Sequence, residues 1–476
     1  MTDLADCPAT TLAPAFATGA LSPVDVIEAV LTRAAAWEPR LAATYALDRD
    51  AALADARASE ARWRAGAALG PLDGVPVTIK EIIATKGVPM PMGTAASILS
   101  PAPADAPVAA RLREAGCVIF AKTTVPDYGM LSSGLSSFHA LTRNPWDLTR
   151  NPGGSSAGAG AAAAAGYGPL HVGTDIGGSV RLPAGWCGIF GLKPSNGRVP
   201  TDPPYMGRAA GPMTRSVADA ALMMTAITGD DARDFTSLPR QDLPWMNLDG
   251  DVRGLRIGLI LDAGAGTATE PAVRAAVEAA ARVFEAGGAI VEPAEPWLTP
   301  PMFDAFDTFF RTRFWAETKD LPRERHDRIL PYIRQWVERG AQTSALELYQ
   351  AYQKLMAIRE TGVRFSQRFD FVLSPVAPMP AFAAELPGPN NDPSRPFDHI
   401  AFTMPANMTE QPAASIDCGQ TADGLPIGLQ ITGKRFDDIG VLRLSRWYEQ
   451  ARGPWRDWPQ APCSSQEPCP SQEPCP

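Results

Sequence analysis

Two Gly-Gly-Ser turns lie close together in this chain and could bring hydroxyl groups and bare backbone to a ligand. One lies in NPGGSSAGAGAAAAAG, residues 151–166, and the other in GTDIGGSV, residues 173–180. Glycine lacks a Cβ atom, so the backbone N–H groups of such turns can approach a ligand closely. Glycine and serine clusters are more often plain loops, so the neighbouring residues must decide the chemistry.

Familiar phosphate-binding and serine-hydrolase motifs do not fit these turns. The sequence has no GxxxxGK[ST], and a run of alanines between Gly160 and Gly166 breaks the GxGxxG spacing. The pattern GxSxG is absent around Ser155 and Ser179, and SxxK is absent as well. His171 lies among apolar residues, which favours a structural role, and the other three histidines have no recognisable catalytic setting. A Ser–His–Asp triad is therefore not predicted, and a base must come from another residue.

Lys80 is the candidate base. It ends the apolar, β-branched stretch GVPVTIK, residues 74–80, which predicts a buried strand. Burial disfavours the charged form of an amine, so the pKa of Lys80 should fall from about 10.4 towards the range of about 7–8 that suits a general base. The alternative is a surface lysine, or one paired with Glu81.

The segments around these residues alternate between helical and strand patterns. Ser22 and Pro23 predict the N-cap and first turn of a helix over the following VDVIEAVLTRAAAW. Further helices are predicted over 51–66, 106–116 and 270–288, and strands over 117–122, 253–261 and 289–293. This alternation predicts an α/β protein with a mixed or mainly parallel sheet.

The rest of the chain is predicted to form one large domain over residues 1–460. Residues 301–368 have a helical period and many aromatic side chains, which could form helix-packing core or the wall of a substrate funnel. Residues 229–251 are polar and rich in turns, and no linker divides the chain. The tail 461–476 contains a repeated SQEPCP, and this low-complexity composition predicts disorder.

Composition restricts the partners and the cellular location. The net charge of −9 comes with no basic block, which argues against nucleic acid as a main partner. The N-terminus lacks a basic segment followed by an apolar run, so no signal peptide is predicted. The uncharged run 151–174 consists mainly of small residues, which favours an internal packed segment over a membrane span. The scattered cysteines are predicted to be free thiols in a reducing compartment: Cys7, Cys117, Cys187 and Cys418.

Several long motifs in a fixed order resemble those of the amidase signature family. They are GPLDGVPVTIKE, AGCVIFAKTTVPDYG, RNPWDLTRNPGGSSAG, VGTDIGGSVRLPAGWCGIFGLKPSNGRVP and, near the C-terminus, NMTEQPAASIDCGQTADGLPIGLQITG. The resemblance covers most of residues 22–455. It implies the family's Ser–cis-Ser–Lys triad, with Ser179 as the nucleophile, Ser155 beside a cis peptide bond as the middle serine, and Lys80 as the base.

The resemblance also implies roles for the residues around the triad. Backbone N–H groups would form the oxyanion hole at Ile176, Gly177, Gly178 and Ser179. Two side chains would support this loop, namely Asp175 and Arg181. Gly129, Met130 and Ser132 would bind substrate. If the family layout holds, further apolar residues would lie near the site, namely Met90, Met92, Met130, Trp186, Ile189 and Phe190. No metal ion or organic cofactor is implied.

The implied fold is a single large α/β domain with a mixed central sheet covered by helices on both faces. The implied activity is hydrolysis of C–N bonds in small apolar or aryl amides through an acyl-enzyme on Ser179. Carbamate or ester hydrolysis, and the glutaminase component of a tRNA amidotransferase, are the alternatives. We expect a cytoplasmic enzyme with a small amide substrate and no nucleic-acid or membrane partner. A homodimer is considered, but the sequence leaves the oligomeric state open.

Three departures from the usual family pattern concern the shape of the substrate site. Glu81 stands where aspartate usually follows the lysine, GGSSAGA replaces GGSSGGS, and TEQP at residues 409–412 replaces TGxP. All three triad positions are intact, so these departures bear on the choice of substrate and leave the expected catalysis in place.

Overall fold

A mixed sheet of eleven strands forms the centre of the computed structural model, which describes residues 3–454 and 456–461. The strands are β1 Thr44–Tyr45, β2 Pro76–Lys80, β3 Val118–Thr123, β4 Leu170–Asp175, β5 Phe190–Lys193, β6 Ala209–Thr214, β7 Arg256–Leu259, β8 Ile290–Pro293, β9 Phe371–Pro375, β10 Ala413–Gln420 and β11 Pro426–Thr432. Their order across the sheet is β1-β3-β2-β4-β6-β5-β10-β11-β9-β7-β8. The predicted single α/β domain with a mixed sheet is confirmed.

Helices flank this sheet. Those in the described residues are α1 Ala9–Ala17, α2 Pro23–Leu41, α3 Arg49–Arg64, α4 Pro107–Glu114, α5 Ala157–Ala165, α6 Arg181–Cys187, α7 Val217–Ile227, α8 Pro271–Ala286, α9 Pro300–Thr318, α10 Arg323–His326, α11 Pro331–Glu338, α12 Ala345–Ser366, α13 Met404–Met408 and α14 Asp438–Arg452. None of them is both long and apolar enough to cross a lipid bilayer.

The predicted elements lie where the sequence placed them, with boundaries shifted by a few residues. Ser22 caps α2 by accepting a hydrogen bond from the Val24 N–H at 3.0 Å, and Pro23 is the first helical residue. The strand predicted over 253–261 is shorter, since β7 spans four residues. The aromatic-rich segment forms helices α9 to α12, and residues 229–251 contain no helix or strand. The predicted tail lies outside the described residues, apart from Ala461.

The pairing of β2, β4 and β6 brings distant parts of the chain to one edge of the sheet. Strand β2 runs parallel to β3 and β4, so β2 and β4 both end at this edge. Strand β6 is antiparallel to β4, and its first residue, Ala209, pairs with Asp175 at the end of β4. The residues that follow β2 and β4 therefore lie close to the residues that precede β6.

Helix α5 packs unusually closely against its neighbours because it consists of alanine and glycine. Every one of its nine residues is buried. A Cβ atom at Gly158 would collide with the carbonyl oxygen of Ala43, and one at Gly160 would lie 2.9 Å from the Cβ atom of Pro183. The prediction that residues 151–174 form a packed internal segment is confirmed, and this close packing fixes the position of the turn that precedes α5.

The four cysteines in the described part of the chain are free thiols, as predicted. Cys117, Cys187 and Cys418 are buried, and Cys7 is partly exposed. Burial raises the pKa of the Cys117 thiol well above its ordinary value, so this group stays protonated and unreactive. The remaining cysteines, Cys463, Cys469 and Cys475, lie outside the described residues.

Candidate active site

Lys80 ends β2 as a fully buried side chain whose amine contacts a serine. Its Nζ atom donates a hydrogen bond to Ser155 Oγ at 2.8 Å and a longer one to the Thr174 carbonyl at 3.4 Å. Burial holds the pKa of Lys80 well below its ordinary value, and the positive charge of Arg208 lowers that pKa further. A buried amine with a depressed pKa can be neutral near pH 7 and accept a proton.

Glu81 is the neighbour of Lys80 in sequence but binds another part of the chain. Its carboxylate accepts hydrogen bonds from the N–H groups of Met92 at 3.0 Å and Gly93 at 2.6 Å. It also lies 3.3 Å from His139 Nε2. The glutamate that departs from the family pattern therefore positions the 92–93 loop, and the alternative of a Lys80–Glu81 ion pair is wrong.

Ser155 lies in the turn that leads into α5. The Gly154–Ser155 peptide bond is cis, as predicted. The following residue, Ser156, joins this turn to the second one, because its N–H donates to the Ser179 carbonyl at 3.2 Å and its hydroxyl donates to the Thr174 carbonyl at 3.2 Å. The two Gly-Gly-Ser turns are thus held against each other by direct hydrogen bonds.

The loop after β4 is shaped by an ion pair between Asp175 and Arg181. Arg181 Nε and Nη2 donate to the two carboxylate oxygens at 3.0 and 2.8 Å, and both side chains are fully buried. Burial would raise the pKa of Asp175, but the charge and hydrogen bonds of Arg181 outweigh it and hold the pKa well below its usual range. Asp175 is therefore ionised and fixes the residues between itself and Arg181.

The same carboxylate occupies one of the N–H groups expected to bind an oxyanion. Asp175 Oδ1 accepts the Gly178 N–H at 2.8 Å, and Oδ2 accepts the Val180 N–H at 3.1 Å. Gly178 therefore differs from the prediction, because its N–H already has an acceptor. In the described part of the chain, the N–H groups of the other three predicted residues donate to no protein acceptor: Ile176, Gly177 and Ser179.

Residues far along the chain complete the support of this loop, and the sequence analysis did not single them out. Arg181 Nη1 donates to the Thr403 carbonyl and to Gln430 Oε1, each at 2.7 Å. Asn407 Nδ2 donates to Asp175 Oδ1 at 2.9 Å, and the Thr403 hydroxyl donates to the Gly177 carbonyl at 2.6 Å. These contacts join the loop after β4 and the first residue of α6 to β11 and α13, which no local sequence signal indicates.

A cavity of about 130 Å³ opens onto both serines, Ser155 and Ser179. The three residues predicted to bind substrate all line it, namely Gly129, Met130 and Ser132. The Gly129 backbone lies against the middle serine, since a Cβ atom there would be 3.4 Å from Ser155 Oγ. Within the residues described, no hydrogen bond joins the hydroxyls of Ser155 and Ser179. Of the two hydrogen bonds that the expected proton path needs, the structure therefore contains the one between Lys80 and Ser155.

The wall of the cavity is mainly aromatic and aliphatic. Five aromatic rings line it, namely Tyr128, Phe306, Phe310, Phe314 and Phe397. The aliphatic and thioether side chains are Ile82, Met92, Met130, Leu131, Ile176, Leu182 and Ile400. Two arginines, Arg208 and Arg313, are the charged side chains, and none of the described residues that line the cavity is an aspartate or a glutamate. The aromatic segment thus supplies both cavity wall and core.

Four of the apolar residues expected near the site do not line the cavity. Trp186 is buried in the core, where its indole N–H donates to the Met379 carbonyl at 2.9 Å. Ile189 and Phe190 are buried in other parts of the core, and Met90 also lies outside the cavity. Ile189 and Phe190 follow α6, whose chain direction carries the backbone away from the two serines into β5.

His171 is structural, as predicted. Its Nδ1 lies 2.8 Å from the Thr78 hydroxyl, and its Nε2 lies 3.1 Å from the Gly168 carbonyl. Burial lowers the pKa of His171 to about 3, so the ring is neutral. Across residues 3–454 and 456–461, no three His, Cys, Asp or Glu side chains converge in a way that could hold a metal ion.

A family model described as Amidase matches residues 25–442. The chain belongs to the amidase signature family. The match spans Lys80, both Gly-Gly-Ser turns and all the residues that line the cavity. Membership makes the protein a hydrolase that acts on carbon–nitrogen bonds.

Relatives of this amidase are known from sequence and from solved structures. A glutamyl-tRNA(Gln) amidotransferase subunit from Chloroflexus aggregans is 37% identical over 468 residues, which cover 92% of this chain and 94% of that protein. A bacterial aryl acylamidase of the same family has a similar structure, with a TM-score of 0.87, 29% identity and coverage of 94% and 97%. The peptide amidase of Stenotrophomonas maltophilia gives a TM-score of 0.80 at 26% identity, covering 96% and 99%.

Proposed function

We propose that this amidase hydrolyses small amides with an aryl or other apolar group, through an acyl-enzyme formed on Ser179. The observation that carries the proposal is the cavity beside the two serines, whose wall holds five aromatic rings and, among the described residues, no carboxylate. Apolar walls of this kind bury apolar ligand surface, while a few polar groups fix its orientation.

The proton path begins at the neutral amine of Lys80. In this proposal Lys80 accepts a proton from Ser155, and Ser155 in turn accepts the proton of Ser179. The Ser179 oxygen then attacks the amide carbon, and the carbonyl oxygen becomes negatively charged. The unoccupied N–H groups of Ile176 and Gly177, with that of Ser179, are the donors proposed for this oxyanion, since preorganised donors stabilise such charge.

The second half of the reaction returns the enzyme to its starting state. The C–N bond breaks as the leaving nitrogen takes the proton that Lys80 and Ser155 received from Ser179, and the amine departs. Water then attacks the ester on Ser179, losing a proton through Ser155 to Lys80. The Ser179 oxygen regains that proton as the ester bond breaks, so an amide and a water molecule yield an amine and a carboxylic acid.

Carbamates and esters pass through the same tetrahedral chemistry and are the first alternatives. Their carbonyl groups would meet the same nucleophile and the same N–H donors. The cavity wall offers no feature that rejects an ester oxygen in place of an amide nitrogen. Relative rates on matched aryl amides, carbamates and esters would rank the three substrate classes.

The second candidate function is that of a glutaminase within an amidotransferase, and the relative from Chloroflexus aggregans favours it by its 37% identity. Free glutamine carries an α-carboxylate, with which the arginines of the wall could pair, and an α-ammonium group, which needs an acidic or strongly polar partner when it leaves water. The residues described around the cavity include no aspartate or glutamate to supply one. For this reason we propose aryl amides, and not glutamine, as the preferred substrates.

Turnover by the purified chain decides between these functions. We expect hydrolysis of anilides at a rate well above that of glutamine, with no other polypeptide added, and loss of the activity in Ser179→Ala. Hydrolysis of glutamine with no anilide turnover would contradict the proposal and support the glutaminase role.

The cytoplasmic location and the homodimer stay predictions, which fractionation and light scattering would check.

A further inference from the structure

Two guanidinium groups, those of Arg208 and Arg313, lie in the wall of the otherwise apolar cavity. Neither of them carries a proton in the proposed acyl transfer, although the charge of Arg208 lowers the pKa of Lys80. The sequence analysis did not single them out. Charged groups in an apolar wall cost free energy unless a partner compensates them. The surroundings of each arginine therefore bear on what the cavity binds.

Arg208 lies directly before β6, beside the loop that carries Ser179. Its Nη1 atom donates to the Pro203 carbonyl at 3.0 Å. The carboxylates of Asp202 and Asp234 act on it only through longer-range attraction, and in the described part of the chain Arg208 forms no ion pair within 4.0 Å. Most of the donors of this guanidinium therefore have no acceptor within residues 3–454 and 456–461.

Arg313 reaches the cavity from α9, on the same face as three of the aromatic rings. Phe306, Phe310 and Phe314 are four residues apart, and Arg313 follows Phe310 by three residues. All four side chains therefore lie on one stripe of α9, which forms this wall. Arg313 Nε donates to Glu317 Oε1 at 2.7 Å, and the carboxylate of Glu317 is about half exposed. Arg313 Nη1 is buried and has no hydrogen-bond partner among the described residues.

The two positive charges also repel each other across the cavity. Burial lowers the pKa of Arg208 to about 10, and the charge of Arg313 adds to this effect. Arg313 is held in place despite the repulsion, because its guanidinium stacks 3.6 Å from the ring centre of Tyr205. An anion between the two groups would relieve the repulsion and satisfy the unpaired donors. A carboxylate suits this task because its two oxygens match the planar fork of a guanidinium.

We propose that Arg208 and Arg313 bind a carboxylate group of the amide substrate. The substrate class is then an apolar or aryl amide that carries one carboxylate at a distance from the scissile bond. This inference rests on the proposed function, and it adds the feature that selects among aryl amides. Arg208 and Arg313 act as specificity-determining residues, since neither accepts or donates a proton between Lys80 and Ser179.

The carboxylate could belong to the acyl part or to the amine part of the substrate, and two pairs of compounds distinguish these positions. In the first pair, N-acetyl-4-aminobenzoate carries the carboxylate on its amine part, and N-acetyl-4-toluidine is its neutral counterpart. In the second pair, N-phenylsuccinamate carries the carboxylate on its acyl part, and N-phenylpentanamide is its neutral counterpart. For at least one pair, we expect kcat/KM to favour the charged compound by about tenfold or more, which is typical of a charged hydrogen bond.

Substitution of the arginines tests whether they cause this preference. Arg208→Gln and Arg313→Gln should each lower the ratio of kcat/KM between charged and neutral compounds by about tenfold. Arg323→Gln is the control, because Arg323 is 94% exposed and lies outside the cavity. If the wild-type protein hydrolyses neutral anilides as well as their charged counterparts, the carboxylate site is wrong while the proposed function stands.

Direct binding separates failure of the site from failure of the function. With Ser179→Ala, calorimetry should show that the charged member of one pair binds at least tenfold more tightly than the neutral member, and that Arg208→Gln removes this difference. If the wild-type protein hydrolyses no anilide but this binding difference is found, the proposed function fails and the arginine site stands. Equal or weaker binding of both carboxylates overturns the arginine site.

Discussion

The Nζ atom of Lys80 lies 2.8 Å from the Oγ atom of Ser155, while the carboxylate of the adjacent Glu81 binds the backbone of Met92 and Gly93. The lysine is therefore directed to a serine and, among the described residues, has no acidic partner within hydrogen-bonding distance. Its burial disfavours the ammonium form. This relationship is the basis of the proposed base and of the first prediction.

Acylation should depend on the neutral form of Lys80. We expect kcat/KM for a neutral anilide to rise with pH through the depressed pKa of Lys80 and to level off above it, since only the free amine accepts a proton. Arg208→Gln removes a positive charge that lowers this pKa, so the midpoint of the profile should move to higher pH. Stopped-flow measurement of acylation across the pH range gives the profile of the wild-type protein and the midpoint of the variant. A midpoint that stays in place or falls would contradict the assignment.

Replacing the middle serine should leave a weak enzyme. Ser155→Ala removes the hydroxyl that contacts Lys80, and we expect kcat to fall by about 10²–10⁴, the usual contribution of general acid–base catalysis. The backbone donors around Ser179 remain, so a fluorophosphonate probe should still label the protein slowly, whereas Ser179→Ala should take up none. Peptide mapping identifies the labelled residue. An adduct on any serine other than Ser179 would overturn the nucleophile.

A side chain at Gly178 should disturb the loop between Asp175 and Arg181. Gly178 has φ +130°, and a Cβ atom there would collide with Thr403 Oγ1. Gly178→Ala should lower the free energy of unfolding by about 1–3 kcal/mol and reduce kcat/KM. Gly254→Ala is the matched control, since Gly254 also has a positive φ but has nothing within 4 Å of its Cβ position. Equal losses of activity in the two variants would show that the contact with Thr403 has no effect.

Breaking the buried ion pair should be strongly destabilising. Asp175→Asn leaves the fully buried guanidinium of Arg181 without its counter-charge, which typically costs about 3–5 kcal/mol. Urea unfolding followed by fluorescence measures the change. The exposed pair of Arg253 and Asp251 provides the control, and Asp251→Asn should leave the unfolding midpoint unchanged. A similar, small effect of both substitutions would show that the buried pair does not hold the loop.

Lys193 should make stability increase with pH. It is 1% exposed, and burial together with the charge of Arg181 lowers its pKa to about 7. Between this value and about 10.4, the value in the unfolded chain, the unfolded state binds one more proton than the folded state. The free energy of unfolding then gains about 1.4 kcal/mol per pH unit from this residue.

Lys193→Met should remove that contribution, and urea titrations between about pH 8 and 9.5 measure the slope. The exposed Lys86 supplies the control, since Lys86→Met removes the same charge from a solvated position. If Lys193→Met and the wild-type protein have the same slope, Lys193 is not neutral in the folded state. A reduced slope in both variants would point to a cause other than burial.

The sequence by itself determined the type of fold and singled out the residues proposed for catalysis. The ordered motifs around Lys80, Ser155 and Ser179 are long, and each has a local physical requirement: a lysine at the end of a buried strand, and glycines where the backbone must come close. Strand and helix periods also predicted β2, β3 and α2 within a few residues, because these signals depend on near neighbours in the chain.

Only the tertiary structure decided the character of the substrate cavity. Arg208 reaches it because β6 begins where β4 ends, and Arg313 reaches it because one face of α9 packs over the same edge of the sheet. Gly178 has its N–H occupied because the Asp175 carboxylate turns back on its own loop. Such placements result from non-local strand pairing and helix packing, and a single sequence carries no local signal for either.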